Sequence, residues 1–301
     1  MSTNPLPTLP HTTACRGQAK VDRLGWTVGQ SYTAYGLRFG LRSNNPAALE
    51  QVAPRLPLGW QATPTGDTDD AVEVDILYSL RLAAPSKRKG QRNYHLLYCG
   101  SALLARTLEL PQLFDTLARH AELLTAFLAS DCLFVHAGAV GWQGQAILIP
   151  GRSFAGKTTL VKAMVEAGAT YYSDEFAVLD KEGRVHPYPR PLSIRGNNGQ
   201  PGREITAEEL GGQIGVEPLP VGLIVVTEYH PEAMWQPRQL TPGQALLALM
   251  DNTVAARRNP AHSMPILKQA VTGTVALKSK RGEAGEVAPL LLARRAARKS
   301  L

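Results

Sequence analysis

The sequence predicts an α/β protein of two domains, the second built around a strand, a glycine-containing loop and a helix. Three observations carry that reading. The chain has 301 residues, more than the roughly 100–200 of a single domain. Short apolar runs of strand length alternate along it with stretches of helical periodicity. The segment Gly151-Arg-Ser-Phe-Ala-Gly-Lys-Thr158 stands between one run of each kind. Hydrophobic residues make up 44% and charged residues 19%, a balance that supports a buried core rather than disorder.

Residues 1–15, rich in Pro and Thr, are read as an arm ahead of a first α/β domain, residues 16–129. Alternation over 35–41 predicts a strand, and Pro46 after Asn45 opens a short helix ending near Pro54. Val72, Val74 and Ile76 alternate with Glu73 and Asp75, and the strand runs on over 77–82. The basic stretch 86–92 is a turn, from which 94–99 returns as a strand. Leu113, Leu117, Leu124 and Leu128, with Phe114 and Phe127, form one apolar stripe of a helix over 111–130, which marks the domain boundary.

In the second domain, residues 130–301, strands 133–140 and 145–149 are joined by a turn at Trp142-Gln-Gly144. A helix over 159–167 is stopped by Gly168, and 170–179 is one strand ending in the turn 180–183. Residues 221–227 form a buried strand. Pro242 after Thr241 opens a helix that runs on over 246–258 until Pro260 breaks it, and the rest of the chain is read as helices.

Charge and cysteine usage exclude several classes. The net charge is +7, and much of it lies from Lys278 on, where seven basic residues face Glu283 and Glu286. That stretch has no aromatic residue, so it lacks the basic–aromatic interleaving of a nucleic-acid surface. It is read as a solvated helix end, with an acidic peptide or protein as the alternative partner. Cys15, Cys99 and Cys132 have no zinc or redox spacing. Residues 1–13 lack the pattern of a signal peptide, and no run approaches the roughly 18 apolar residues of a membrane span. The expectation is a cytoplasmic protein with neither nucleic-acid nor membrane partners.

The segment 151–158 matches G-x-x-x-x-G-K-[ST], the Walker A P-loop, in full. Glycines let the backbone turn so that successive N–H groups point at phosphates, and the following helix adds its positive end. On this reading Gly151, Ser153, Phe154, Ala155, Gly156, Lys157, Thr158 and Thr159 hold the nucleotide. Lys157 reaches the terminal phosphates and the Thr158 hydroxyl ligates magnesium. Downstream, Asp174 and Glu175 interrupt an otherwise apolar strand, where acids are costly unless solvated, paired or metal-bound. Adjacent strand residues face opposite sides, so only one of the two should point at the loop. Asp174 is the candidate to accept a hydroxyl proton or to hold magnesium. His136, on the strand leading toward the loop, reads equally as structural or catalytic. Glu228 ends an apolar strand in the manner of a Walker B acid and is a second candidate for the metal or for water activation.

The set Val135-His136, Gly151 to Thr158 and Ser173-Asp174-Glu175 resembles the catalytic domain of HPr kinase/phosphorylase. The resemblance covers roughly residues 130–230. It implies a phosphoenolpyruvate-carboxykinase-like P-loop core, ATP and Mg2+ as cofactors, and phosphoryl transfer to serine. It maps the serine-deprotonating base onto Asp174, the second acid of the pair onto Glu175 and the family histidine onto His136. Pro191-Leu-Ser-Ile-Arg-Gly196 resembles the family's L-E-I-R-G segment with Ser193 in place of a metal-holding Glu, which puts the reverse, phosphorylase reaction in doubt. Thr158-Thr159 stands where the family has Ser-Glu. The family often forms hexamers, which implies a homo-oligomer.

The expected function is therefore an ATP-dependent kinase, its acceptor an HPr-like protein, a peptide or free serine. Arg195, Arg257 and Arg258 are the candidates for a phosphate-capping arginine, the last two also readable as a basic helix end. An ATP-binding sensor or scaffold without turnover, and a P-loop ATPase using Glu228, are the alternatives.

Overall fold

The computed structural model describes residues 16–64, 72–84, 92–152, 155–194 and 202–294. The chain divides into two compact units, Met1–Ser130 and Asp131–Leu301, both of α/β character.

The first unit runs α1 (Arg16–Asp22), β1 (Val28–Ala34), β2 (Leu37–Ser43), α2 (Pro46–Val52), β3 (Gln61–Ala62), β4 (Ile76–Arg81), β5 (His95–Cys99), β6 (Ala102–Thr107) and α3 (Leu110–Leu128). Its sheet has the order β3-β1-β2-β4-β5-β6, with only the β2–β4 pair parallel. The strand expected over 35–41 is shifted, because Tyr35 and Gly36 both take positive φ and form the hairpin turn between β1 and β2. The stripe of α3 buries Leu113, Phe114 and Leu117 with Phe39, Leu41, Tyr78, Leu80 and Leu97 of the sheet. The expected turn at 86–92 falls mostly outside the described residues.

The second unit carries β7 (Leu133–Trp142), β8 (Gln145–Pro150), α4 (Lys157–Glu166), β9 (Thr170–Ser173), β10 (Phe176–Leu179), β11 (Arg184–His186), β12 (Leu192–Ile194), β13 (Arg203–Ile205), β14 (Leu219–Tyr229), β15 (Arg238–Gln239), α5 (Pro242–Met250), α6 (Pro260–Val271), β16 (Val275–Arg281) and α7 (Ala284–Leu292). Its main sheet is mixed, in the order β11-β10-β7-β8-β14-β16-β15 with β9 also on β7. β14 is parallel to both β8 and β16, while β7 is antiparallel to β8. Alternation along the strands sorts two cores. Val135, Ala137, Ala139 and Leu148 pack with α5 and α6 on one face. Val140, Ile147, Ile149 and Leu223 pack with α4 and α7 on the other.

Three expectations are corrected. The strand over 170–179 is broken at Asp174 and Glu175, which form a bend between β9 and β10. The helix from Pro242 ends at Met250, and Thr253 bridges to Val135 of β7. Backbone pairing with the sheet there overrides helical propensity, so Arg257 and Arg258 sit in an irregular exposed segment and not at a helix end. The region from Lys278 is not all helical either. Lys278, Lys280 and Arg281 belong to β16, whose partner strand β14 draws the segment into the sheet.

Candidate phosphate-loop site

β8 delivers the loop at Pro150, and α4 leaves it at Lys157. Gly156 caps α4 in the left-handed region, at φ 81° and ψ 23°, which glycine adopts without a Cβ penalty. It offers no side-chain acceptor, so the first N–H groups of α4 have no side-chain cap at the loop.

Lys157 is buried, with 7% of its surface exposed. Its Nζ donates to the Arg152 carbonyl at 3.2 Å and lies 3.4 Å from His136 Nε2. Burial pulls its pKa down, against the opposing charges of Glu175 and Asp174. His136 stands on the α4 side of β7, two residues before Gly138, whose Cα faces the Val161 side chain of α4. Its backbone is tied at both ends: its N–H donates to the Asn252 carbonyl at 2.7 Å, and its carbonyl accepts from Gly151 N–H at 3.4 Å. Its Nε2 also lies 3.1 Å from Glu175 Oε1.

The bend between β9 and β10 brings both acids to the loop, so the expectation that strand alternation would send one away does not hold. The ladder to β7 stops at Ser173, opposite Ala139, and resumes at Phe176, opposite His136. Glu175 meets His136 and Lys157 at a half-open position, and the His136 hydrogen bond chiefly holds its pKa below the ordinary range. Asp174 is buried, 7% exposed, and its Oδ1 has no hydrogen-bond partner. Burial pushes its pKa up to about 6, opposed first by the Thr158 hydroxyl facing it and also by Lys157 and His136.

A cavity of about 910 Å³ opens beside the loop, with Gly151, Arg152, Glu228, Asn252, Lys278 and Lys280 on its walls. It falls within the roughly 300–1,000 Å³ range of small-molecule sites. Glu228 lies at the exposed end of β14, in register with Lys280 of β16, on the cavity wall. Among the described residues no three His, Cys, Asp or Glu gather as metal ligands. Thr158 and the unpartnered Asp174 oxygen are oxygen donors of the kind that could hold a hard divalent cation.

Of the other expected residues, Gly151, Ala155 and Gly156 lie, with Arg152, in the described part of the loop, and Thr159 is exposed on α4. Ser153, Phe154 and Arg195 lie outside the described residues. Arg257 and Arg258 are exposed and do not line the cavity. Sequence reasoning missed four contributors: Arg152, whose carbonyl holds Lys157; the Asn252 carbonyl on His136; Arg190, whose charge reaches Glu175; and Arg281, which contacts the loop from β16. Only the last left a trace, since Val275 to Leu277 is an apolar start that the basic residues after it obscured. In comparisons with known proteins, no family model and no curated protein matches the chain.

Proposed function

We propose that the second unit is a P-loop kinase of the phosphoenolpyruvate-carboxykinase-like kind, moving the γ-phosphoryl group of ATP to a hydroxyl, with serine the expected acceptor. The observation that carries the reading is Asp174: a buried carboxylate with a free oxygen, facing Thr158 of the loop. A general base works best with a pKa near the operating pH, and burial moves Asp174 that way, to about 6.

In this reading Asp174 takes the proton of the acceptor hydroxyl. The acceptor oxygen then bonds the γ-phosphorus as its bond to the bridging oxygen breaks and ADP leaves. Lys157, kept dry against Arg152 and His136, supplies positive charge to the transferring group. Glu175 holds His136, and His136 in turn helps keep Asp174 ionised. Thr158, with Asp174 beside it, would hold a magnesium ion brought in with the nucleotide, and that ion would supply positive charge against the phosphate oxygens. The cavity beside Gly151 and Arg152 has room for the nucleoside or the acceptor.

A serine-bearing acceptor that gains phosphate from labelled ATP with wild type, and does not with Asp174→Asn, supports the proposal. Equal labelling by both proteins removes Asp174 as the base. The second reading, hydrolysis without an acceptor, is favoured by Glu228 on the cavity wall. It predicts phosphate release by wild type alone and its loss in Glu228→Gln.

A further inference from the structure

We propose that Arg281 is a positioning residue for the end of the phosphate loop, holding the Gly156–Lys157 peptide so that the Lys157 N–H faces an incoming triphosphate. The inference rests on the nucleotide reading above and assigns a role to a residue outside the loop motif.

Arg281 ends β16 and is 1% exposed. No carboxylate forms an ion pair with it among the described residues; Glu283 acts only at longer range. Its Nη2 donates to the Gly156 carbonyl at 2.7 Å and its Nη1 to its own neighbour, the Gly282 carbonyl, at 2.9 Å. The Tyr229 ring centroid is 5.5 Å from its Cζ, and its buried Nε has no hydrogen-bond partner. Burying a guanidinium without a counter-ion is expensive, and an apolar side chain of similar volume would often be as stable in such a place. Packing therefore does not account for a charge here.

The contact with Gly156 does. The peptide group is planar and trans, so the Gly156 carbonyl and the Lys157 N–H point in opposite directions. Arg281 and the Leu160 N–H hold that carbonyl on the helix side. The Lys157 N–H is thereby aimed the other way, outward from the N-terminal end of α4. Gly156 and Arg281 are matched, since a Cβ on Gly156 would run into the guanidinium. The buried positive charge sits on the carbonyl side of the Gly156–Lys157 peptide, opposite the Lys157 N–H, so a triphosphate accepting from that N–H would bring the negative partner that the fold withholds.

The experiment compares wild type, Arg281→Met and Arg281→Lys by calorimetric Mg-ATP binding and by melting temperature without nucleotide. A charge-assisted hydrogen bond is worth enough that Arg281→Met should raise the Kd by about tenfold or more. The melting temperature of the empty protein should stay near that of wild type, with Arg281→Lys intermediate in Kd. A lowered melting temperature with a Kd within about twofold of wild type makes Arg281 structural only and overturns the inference. If Arg281→Met does not fold, Arg281→Lys decides by the same two readouts. Wild type that fails to bind Mg-ATP sinks the nucleotide reading and this inference together, whereas equal binding by wild type and variants sinks the inference alone.

Discussion

Asp174 sets the acid limb of the expected reaction. A base must be ionised to act, so transfer should rise with pH through the region of its pKa, about 6, and level off above it. His136 holds that pKa down. Removing it in His136→Ala should therefore move the limb to higher pH, which a pH–rate profile of the variant measures; an unmoved limb would separate His136 from Asp174. The same burial costs stability. Because the folded pKa of Asp174 is raised, its stabilising contribution is complete below the unfolded value and is lost as pH rises through about 6. At neutral pH the ionised group is a net burden, on the order of 3 kcal/mol at most. Asp174→Asn should then melt a few degrees higher than wild type at pH 8, lose that advantage near pH 4, and transfer phosphate about 10²–10⁴-fold more slowly. Lys157→Met removes the cation between Arg152 and His136 and should weaken Mg-ATP binding by at least about tenfold, read by calorimetry.

At the scale of elements, the bend between β9 and β10 assembles the site. A regular strand over 170–179 would present Asp174 and Glu175 to opposite faces; interrupting the ladder between Ser173 and Phe176 lets Asp174 face Thr158 while Glu175 reaches His136. The approach of α4 to β7 is the second determinant. It needs a bare backbone at Gly138, where a Cβ would collide with the Val161 side chain. Gly138→Val should cost about 1–3 kcal/mol by denaturant unfolding, through overpacking between β7 and α4, and should weaken nucleotide binding because α4 carries the loop. Stability unchanged from wild type would show that α4 can shift without loss.

The loop was legible as an element because its chemistry is local: G-x-x-x-x-G-K-[ST] between an apolar run and a helix carries its own geometry. β16 was not legible, since Lys278, Lys280 and Arg281 read as a solvated tail until β14 is seen beside them. The early end of α5 was equally hidden, because it depends on the bridge from Thr253 to Val135 more than a hundred residues away.

For the whole molecule, each unit has its own buried core. The loop, the acids, His136 and Arg281 all belong to Asp131–Leu301. A fragment of residues 131–301 should fold cooperatively and bind Mg-ATP with a Kd within about threefold of the full chain. Calorimetry on the purified fragment tests this, and a fragment that is folded but does not bind would give the first unit a part in nucleotide binding.

The sequence by itself determined the α/β class, the Walker A pattern between a strand and a helix, and the identity of the acids downstream of it, because periodicity and glycine-lysine spacing are properties of contiguous residues. Only the tertiary structure decided that both acids meet the loop, that an arginine over a hundred residues away holds its last glycine, and that a cavity lies alongside. Those facts arise from strand pairing and from burial, which raises one carboxylate and strands one guanidinium, and neither is encoded in any short stretch of chain.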